Sequence, residues 1–498
     1  MRTAAALSLL LAVATTPASA EPIQRHPKNG RYLVFKGKPA ILVGGGEHYG
    51  AVLNLDFDYT RYLDTMQKDG LNLTRLFVGT YYEKPGDFGI GNNTLAPAPG
   101  RALTPWQRSD TPGAADGGNK FDLEKWNDAY FARLEDFVAQ ASARGIAVEV
   151  VMFSAYYRGG WAGSPMNAAN NVNGVGTVAK EQANTLDNGS LKAAQERVVR
   201  KIVRELKDAD NVYYEIQNEP WADLGQPAGI LNAGILPQDM QGGAAGFWKN
   251  RVDLANAASL AWQKHIAEII ADEEQDLPKD GRHLIAQNYC NFKHPLKDVD
   301  PNVGILNFHY AWPEAATLNL GHDKVIAFDE TGFATPNDKT QEPETDAVYR
   351  RQAWEFLMSG GGVFSMLDYS FAVGNEDGTF VNKAPGGGSP ALRRQLKVLK
   401  DFLHSFEIPS LRPQQDTLKS ALGAYARVLG TDKAIGVYVA GDGQTDVTLA
   451  LAPGKWRAEW IDTVTGERKS GELFIHKGGP KTLKSPAYVG DIALRVAQ

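Results

Sequence analysis

Short β-prone runs alternate with amphipathic helical patterns along most of this chain. The runs are Ile41 to Val43, Leu73 to Val78, Ala147 to Phe153, the run that starts at Val212, Leu284 to Gln287, Val303 to Phe308, Val325 to Phe328 and Val363 to Leu367. Strands that alternate with helices are typical of βαβ units and a parallel sheet. Eight such runs predict a (β/α)₈ barrel, also called a TIM barrel.

The helical patterns between the runs support this order. Residues 191 to 206 place Val198, Ile202 and Leu206 on one face and lead directly into the fourth run. Leu123 to Ala143 predicts a helix before the third run. A hairpin over residues 32 to 40 is expected to close the floor of the barrel, and residues 390 to 406 are expected to form the last barrel helix.

Beyond residue 409 the hydrophobic period changes. The segments Tyr425 to Val428, Ala434 to Val439, Thr445 to Leu451, Lys455 to Ile461 and Glu472 to Ile475 are β-prone and are separated by Gly, Asp and Pro turns. This pattern predicts a small antiparallel β-sandwich. The expected organisation is a signal peptide at residues 1–20, a barrel at residues 21–409 and a C-terminal sandwich domain at residues 410–498.

The first 20 residues have the pattern of an export signal. Arg2 precedes an apolar run from Ala4 to Val13 that is too short to span a bilayer, and residues 18 to 20 are small enough for signal peptidase. An exported protein, periplasmic or secreted, is therefore expected. The single cysteine of the sequence, Cys290, excludes an intrachain disulfide.

Charge and hydropathy exclude several classes of partner. The sequence has 52 lysine and arginine against 58 aspartate and glutamate residues, a net charge of −6. This balance disfavours a nucleic-acid or anionic-membrane surface, and no later stretch is apolar enough for a membrane span. A neutral partner fits the composition better.

Two of the β-prone runs end in carboxylates. Residues 212 to 220 read Val-Tyr-Tyr-Glu-Ile-Gln-Asn-Glu-Pro and deliver Asn218 and Glu219, while the seventh run ends in Asp329 and Glu330. The C-terminal ends of barrel strands meet at one mouth. Two glutamates there are what glycoside hydrolysis requires, one to protonate the leaving oxygen and one to attack or to activate water.

These two glutamates need opposite protonation states. Arg75, at the end of the second run, is expected to keep Glu330 ionised, whereas burial and the neighbouring negative charge are expected to raise the pKa of Glu219. His309 and Tyr310 follow the sixth run and offer hydrogen bonds, but neighbouring strand residues face opposite ways, which favours only one of them pointing inward. A structural ion pair for Arg75 and a core position for His309 remain open alternatives.

Metal and phosphate sites are less well supported. Glu47 and His48 lie after the first run, but no spaced set of further ligands accompanies them. Gly360 to Gly362 precede a strand and do not join a strand to a helix, so they do not form a phosphate cradle. The sequence predicts neither a metal nor a cofactor.

The combination of Asn218 and Glu219, Glu330, Arg75 and the His309–Tyr310 pair resembles the clan of retaining (β/α)₈ glycosidases that includes the cellulase-like glycoside hydrolase family 5. The resemblance implies that Glu219 is the acid/base and Glu330 the nucleophile. It further implies that Asn218 holds the sugar 2-hydroxyl and that Arg75 lies beside the nucleophile.

The sequence departs from the family's pattern at two strand ends. The third run ends in Phe153 and Ser154 where many members have histidine, and the eighth ends in Leu367, Asp368 and Tyr369 where many have tryptophan. These departures leave the sugar undetermined.

Aromatic residues in the long loops after the second and third runs are candidates for sugar stacking. They are Trp106, Tyr157 and Trp161. Packing of these rings onto the barrel is the alternative for each. The sequence thus predicts a retaining glycosidase acting on a β-linked polysaccharide or oligosaccharide. An exo-glycosidase or arabinofuranosidase of the same clan, or a carbohydrate-binding protein without catalysis, are the alternatives.

Overall fold

The computed structural model describes residues 21–45, 49–220, 257–278, 281–289, 295–310, 313–331, 346–381 and 387–498. The expected signal peptide, Glu47, His48 and Cys290 lie outside the described residues. Within them, no helix is both long and apolar enough to cross a membrane.

Eight parallel strands close into a barrel, as predicted. In chain order they are Leu42–Gly45, Leu73–Phe77, Ala147–Ser154, Val212–Asn218, Ile285–Tyr289, Val303–His309, Val325–Glu330 and Val363–Met366. Each strand pairs with the next, and the eighth closes on the first, where Val363 lies opposite Leu42. The C-terminal ends of all eight strands therefore lie at one mouth.

The described helices surround the barrel. They are Tyr59–Asp69, Asp128–Ala143, Gly160–Gly163, Lys180–Ala183, Leu191–Leu206, Ala257–Glu273, Pro313–Asn319, Asp346–Leu357 and Pro390–His404. The helix predicted from Leu123 begins only at Asp128. Leu123 belongs instead to the strand Asn119–Trp126, which pairs with Trp106–Pro112 in an antiparallel hairpin over the second loop. Phe121 and Leu123 are buried in this strand. The residues whose helical spacing predicted the helix, Tyr130, Leu134, Phe137 and Val138, all lie within Asp128–Ala143.

The floor of the barrel is closed by a three-stranded sheet. Its strands are Gln24–His26, Asn29–Phe35 and Lys38–Ala40. Leu33 and Phe35 pack with the first residues of the barrel strands in one buried apolar cluster. The predicted hairpin thus covers the end opposite the mouth.

The C-terminal region consists of antiparallel sheets. A six-stranded sheet contains Arg412–Pro413, Tyr425–Gly430, Ala434–Ala440, Asp491–Ala497, Gly454–Asp462 and Arg468–His476, and a three-stranded sheet contains Leu418–Ala421, Asp446–Leu451 and Gly479–Lys484. Trp456 and Trp460 are buried in the core between the sheets, which favours packing over sugar binding for both.

The barrel and this region share a buried contact. The ring of Tyr438 stacks on that of Trp354 at 5.3 Å between centroids. Arg350, in the helix before the eighth barrel strand, forms a buried ion pair with Asp491 at 3.0 Å. The sheets therefore complete the core on one side of the barrel.

Candidate active site

Glu219 follows the fourth barrel strand in an unusual backbone conformation. Its φ of 47° lies in the left-handed region, which non-glycine residues seldom adopt. Its backbone N–H donates to Asn288 Oδ1 at 2.9 Å, which anchors the turn. Asn218 and Glu219 both contact the Tyr157 hydroxyl, the first as a donor at 3.2 Å and the second as an acceptor. The turn thus breaks strand alternation and brings two neighbouring side chains to one place.

A residue with left-handed backbone conformation also follows the sixth strand. Tyr310 has φ 53°, and its hydroxyl lies 2.5 Å from Glu219 Oε1 and 2.7 Å from Glu330 Oε1. His309 Nδ1 lies 2.9 Å from Glu219 and 3.3 Å from Glu330. The expectation that strand alternation would turn only one of this pair inward is therefore wrong, because Tyr310 is not in extended conformation.

The two glutamates are close neighbours. One carboxylate oxygen of each lies within 4.8 Å of one of the other, and both residues are only slightly exposed, at 7%. Tyr310 bridges the pair, yet a phenol carries a single hydrogen to donate. When that hydrogen goes to Glu219, a good bond to Glu330 requires a proton on the Glu330 carboxyl, which then donates to the Tyr310 oxygen.

The pKa directions agree with this hydrogen count. Burial, with the charge of Glu219 added, raises the pKa of Glu330 to about 7 against the opposing effects of His309 and Arg75. Burial alone would raise the pKa of Glu219, but the hydrogen bond and charge of His309, with hydrogen bonds from Tyr157 and Tyr310, lower it overall. These directions favour a proton on Glu330 over one on Glu219, opposite to the sequence expectation.

His309 causes this reversal. Burial would lower its pKa, but the charges of Glu330 and Asp329 raise the pKa well above the usual histidine value. Its Nε2 lies 3.1 Å from Asp329 Oδ1, so the ring donates from both nitrogens as an imidazolium. Burial and the second carboxylate, the two contributions expected from the sequence, do not include the charge of this histidine.

Arg75 is the middle residue of the second strand rather than at its end as predicted, and it lies beneath the two glutamates in a buried layer of charge. Its Nη2 donates to Glu215 at 2.5 Å and to Asn218 Oδ1 at 3.0 Å, and its Nε lies 2.9 Å from Asp329. The distance from Nη1 to Glu330 Oε2 is longer, 3.6 Å. Arg75 therefore acts on Glu330 mainly through the buried carboxylates of Glu215 and Asp329. It also forms the structural ion pairs that were the alternative prediction for this residue.

Sequence reasoning missed three members of this layer. Glu149, Glu215 and Asn307 point inward from the third, fourth and sixth strands, and the Asn307 amide lies 3.0 Å from Glu149 and 2.6 Å from Glu215. Burial, followed by the charges of Asp329 and Glu215, raises the pKa of Glu149 well above its usual value. An acidic residue inside an otherwise apolar barrel strand, as at Glu149 and Glu215, is the signal that could have identified them.

Two triads bring possible metal-binding atoms within 4.8 Å of one another. They are Glu219, His309 and Glu330, and Glu149, Glu215 and Asp329. In the first triad a doubly protonated His309 has no lone pair for a metal. In the second, Arg75 and Asn307 already donate to the carboxylates. The chemistry of both donor sets suits hydrogen bonding better than metal binding.

Of the three loop aromatics, the structure brings only Tyr157 to the two glutamates. Its hydroxyl contacts Glu219. Trp161 is 8% exposed, packs on Tyr156 and donates its Nε1 hydrogen to the Val178 carbonyl at 2.9 Å. Trp106 is 1% exposed and lies in the main core. The positions of both tryptophans correspond to the packing alternative, and neither offers a face for stacking in this structure.

The structure also shows the surroundings of the two strand ends that depart from the family pattern. Ser154 Oγ lies 3.4 Å from the Asn218 amide, next to the site. Asp368 is buried and pairs with Arg393 at 2.9 Å, so its carboxylate is engaged by that arginine.

Comparisons with known proteins agree with the architecture. No family model matches the sequence, and the search of curated proteins gave no match. A solved structure described as a glycoside hydrolase aligns with TM-score 0.60 and 14% identity, covering 97% of this chain and 98% of that chain. A glycoside hydrolase family 5 structure from Bacteroides vulgatus aligns with TM-score 0.60 and 14% identity, covering 96% and 94%. The chain therefore has, over nearly its whole length, the fold seen in glycoside hydrolase family 5 structures.

Proposed function

We propose that this protein is a retaining glycoside hydrolase that cleaves O-glycosidic bonds of a β-linked polysaccharide or oligosaccharide. Glu219 serves as the acid/base and Glu330 as the nucleophile. Asn218 holds the sugar 2-hydroxyl, and Arg75 maintains the charged layer below the nucleophile. The N-terminal pattern adds the proposal that the enzyme is exported.

The observation that carries this proposal is the short separation of the two carboxyl groups. Retaining glycosidases hold their carboxyl groups about 5 to 5.5 Å apart, whereas inverting enzymes leave about 6.5 to 9.5 Å for a water molecule. One oxygen of Glu219 lies within 4.8 Å of one of Glu330, and a single hydroxyl, that of Tyr310, spans the gap. This spacing favours direct attack by Glu330 over attack by a water between the carboxyls.

The bridging hydroxyl also supplies a route for the catalytic proton. Tyr310 gives its hydrogen to Glu219 and takes the proton of Glu330 at the same oxygen, so the number of protons and the net charge do not change. Glu330 is then ionised to attack the anomeric carbon, and Glu219 is protonated to release the leaving oxygen. In the second half, Glu219 takes a proton from water, and the resulting hydroxide displaces Glu330 from the sugar.

The test is sugar release together with stereochemistry. Wild type is incubated with a panel of neutral β-linked polysaccharides and aryl β-glycosides, beside Glu219→Gln, Glu330→Ala and the exposed control Glu181→Gln. We expect wild type and the control to release reducing sugar and both site variants to lose most activity. Proton NMR of the first product should show the anomeric configuration of the substrate.

Two results would overturn the proposal. Sugar binding without any hydrolysis by wild type would indicate a carbohydrate-binding protein. A first product of inverted configuration would exclude the double displacement.

A further inference from the structure

A cavity lies at the mouth of the barrel, apart from the two glutamates. Its volume is about 310 Å³, and its walls come from the loop after the second strand and from the short helix Gly160–Gly163 after the third. Neither Glu219 nor Glu330 lines it. Because both loops follow C-terminal strand ends, the cavity opens at the same end of the barrel as the catalytic pair.

Two aromatic side chains connect this cavity to the catalytic centre. Glu83, in its wall, accepts a hydrogen bond from the Tyr81 hydroxyl at 3.0 Å. The Tyr81 ring packs edge-on against Tyr157 at 6.0 Å between centroids, and the Tyr157 hydroxyl contacts Glu219. The cavity is therefore separated from Glu219 by these two packed rings, of which that of Tyr81 is buried.

The backbone is shaped to keep this space open. A side chain at Gly160 would place its Cβ 2.6 Å from the Tyr81 ring, so only glycine lets the short helix approach so closely. Gly159 and Gly163 also line the cavity and project no side chains into it.

The chemistry of the walls suits a neutral sugar ring. Tyr82, Pro85, Pro97 and Pro99 supply apolar faces, which pack against the C–H faces of a pyranose. Among the described residues of the lining, Glu83, Asp87 and Asp116 bring carboxyl groups and Lys84 is the single basic residue. Arg108 pairs with Asp116, Arg158 with Asp87, and Tyr81 and Asn93 donate to Glu83. The remaining lone pairs of these carboxyl groups can accept hydrogen bonds from sugar hydroxyl groups, whereas an acidic sugar would add a further negative charge beside them.

We propose that this cavity binds a neutral sugar unit of the substrate, remote from the unit whose bond is cleaved. The volume is at the low end of the roughly 300 to 1,000 Å³ usual for small-ligand sites, which fits one or two rings. The proposal rests on the glycosidase function proposed above and adds a chain-length preference. Substrates long enough to reach the cavity bind more tightly than single sugars.

The test measures binding to the full-length chain carrying Glu330→Gln, which does not form the covalent intermediate. The probes are cellotriose, mannotriose and xylotriose, the corresponding monosaccharides, and a galacturonic-acid trisaccharide, all titrated by calorimetry. Ala98→Trp fills the cavity from an exposed position in its wall. Ala143→Trp makes the same exchange at an exposed position at the end of a barrel helix, away from the mouth.

We expect at least one neutral trisaccharide to bind about tenfold more tightly than its monosaccharide, a difference of about 1.4 kcal/mol. Ala98→Trp should abolish this advantage and Ala143→Trp should preserve it. Equal effects of both tryptophans, no advantage for any trisaccharide, or tightest binding of the acidic trisaccharide would overturn the assignment.

Hydrolysis by the wild-type chain, assayed in parallel, separates this proposal from the proposed function. If the wild-type chain hydrolyses the substrate but Ala98→Trp does not change binding, the cavity proposal is rejected and the glycosidase function is retained. If Ala98→Trp weakens binding but the wild-type chain hydrolyses nothing, the glycosidase function is rejected and the sugar-binding cavity is retained.

Discussion

His309 Nδ1 lies 2.9 Å from Glu219 Oε1. Because the charges of Glu330 and Asp329 outweigh burial, the raised pKa of His309 keeps the ring positively charged beside Glu219. This contact lowers the pKa of Glu219 and leaves the proton of the pair with Glu330. This distribution of the proton is opposite to the one from which Glu330 would attack in the proposed mechanism.

The first prediction concerns the pH dependence of the wild-type enzyme. The glutamate pair needs one shared proton, and the pKa of Glu330 is raised to about 7. As pH rises through 7 the pair loses that proton, so kcat/KM should fall. As pH falls through the lowered pKa of Glu219, the pair gains a second proton and kcat/KM should fall again. A kcat/KM that stays constant or rises between pH 7 and 9 would contradict the assignment.

A second prediction tests the bridge. Once Glu330 is ionised the Tyr310 hydroxyl can donate to it, and this charge-assisted hydrogen bond lowers the pKa of Glu330. Tyr310→Phe removes that bond, so the basic limb of the pH profile should move above 7. Loss of the proton route should also lower kcat by roughly 10²-fold, the lower range for proton-transfer groups. The profile of kcat/KM against pH measures the first effect.

Tyr157→Phe is the matched control for Tyr310→Phe. The Tyr157 hydroxyl donates to Glu219 but forms no hydrogen bond with Glu330. This variant should keep the basic limb near 7. If the two variants give the same basic limb, Tyr310 has no special role between the glutamates.

Third, Arg75 is required for stability as well as for the site. Arg75→Met leaves Glu215 and Asp329 without their buried cation, which should lower the free energy of unfolding by about 3 to 5 kcal/mol. The comparison is Arg61→Met, which breaks an exposed ion pair with Asp377 and should cost about 0 to 1 kcal/mol. Urea denaturation followed by circular dichroism gives both values. Similar losses in the two variants would show that the buried layer contributes little.

A fourth prediction addresses the C-terminal sheets. Tyr438 stacks on Trp354 and hydrogen-bonds Asp491 at 3.2 Å, so Tyr438→Ala should destabilise the whole chain by about 3 to 5 kcal/mol. Val489→Ala, at an 86% exposed position, should change stability by less than about 0.5 kcal/mol. Thermal unfolding measures both.

Ending the chain at Pro409 would expose Trp354, and we expect that truncated chain to be less stable than the full one. A truncated barrel as stable and active as the full chain would show that the two parts fold independently.

The barrel was predictable because each strand and helix has its own hydrophobic pattern in the local sequence. The apolar face of residues 191 to 206 predicted both a helix and the strand that follows it. The strand-end positions of Glu219 and Glu330 followed from sequence in the same way, since the C-terminal strand ends of a barrel converge regardless of detail.

Three features were not readable from local patterns. The inward position of Tyr310 depends on a left-handed φ at a non-glycine residue, which no spacing predicts. The lowered pKa of Glu219 depends on His309, which is distant in sequence. The burial of Trp106 depends on a hairpin in a loop that carries few strong signals. In each case tertiary contacts decide the outcome.

The most direct test of the central claim is identification of the covalently labelled residue. The wild-type enzyme is treated with an activated 2-fluoro glycoside of its preferred sugar, which forms the glycosyl-enzyme but hydrolyses slowly, and the labelled peptide is sequenced by mass spectrometry. We predict one label per chain, on Glu330, and no label on Glu330→Ala. A label on any other residue, or inactivation without a covalent adduct, would contradict the mechanism.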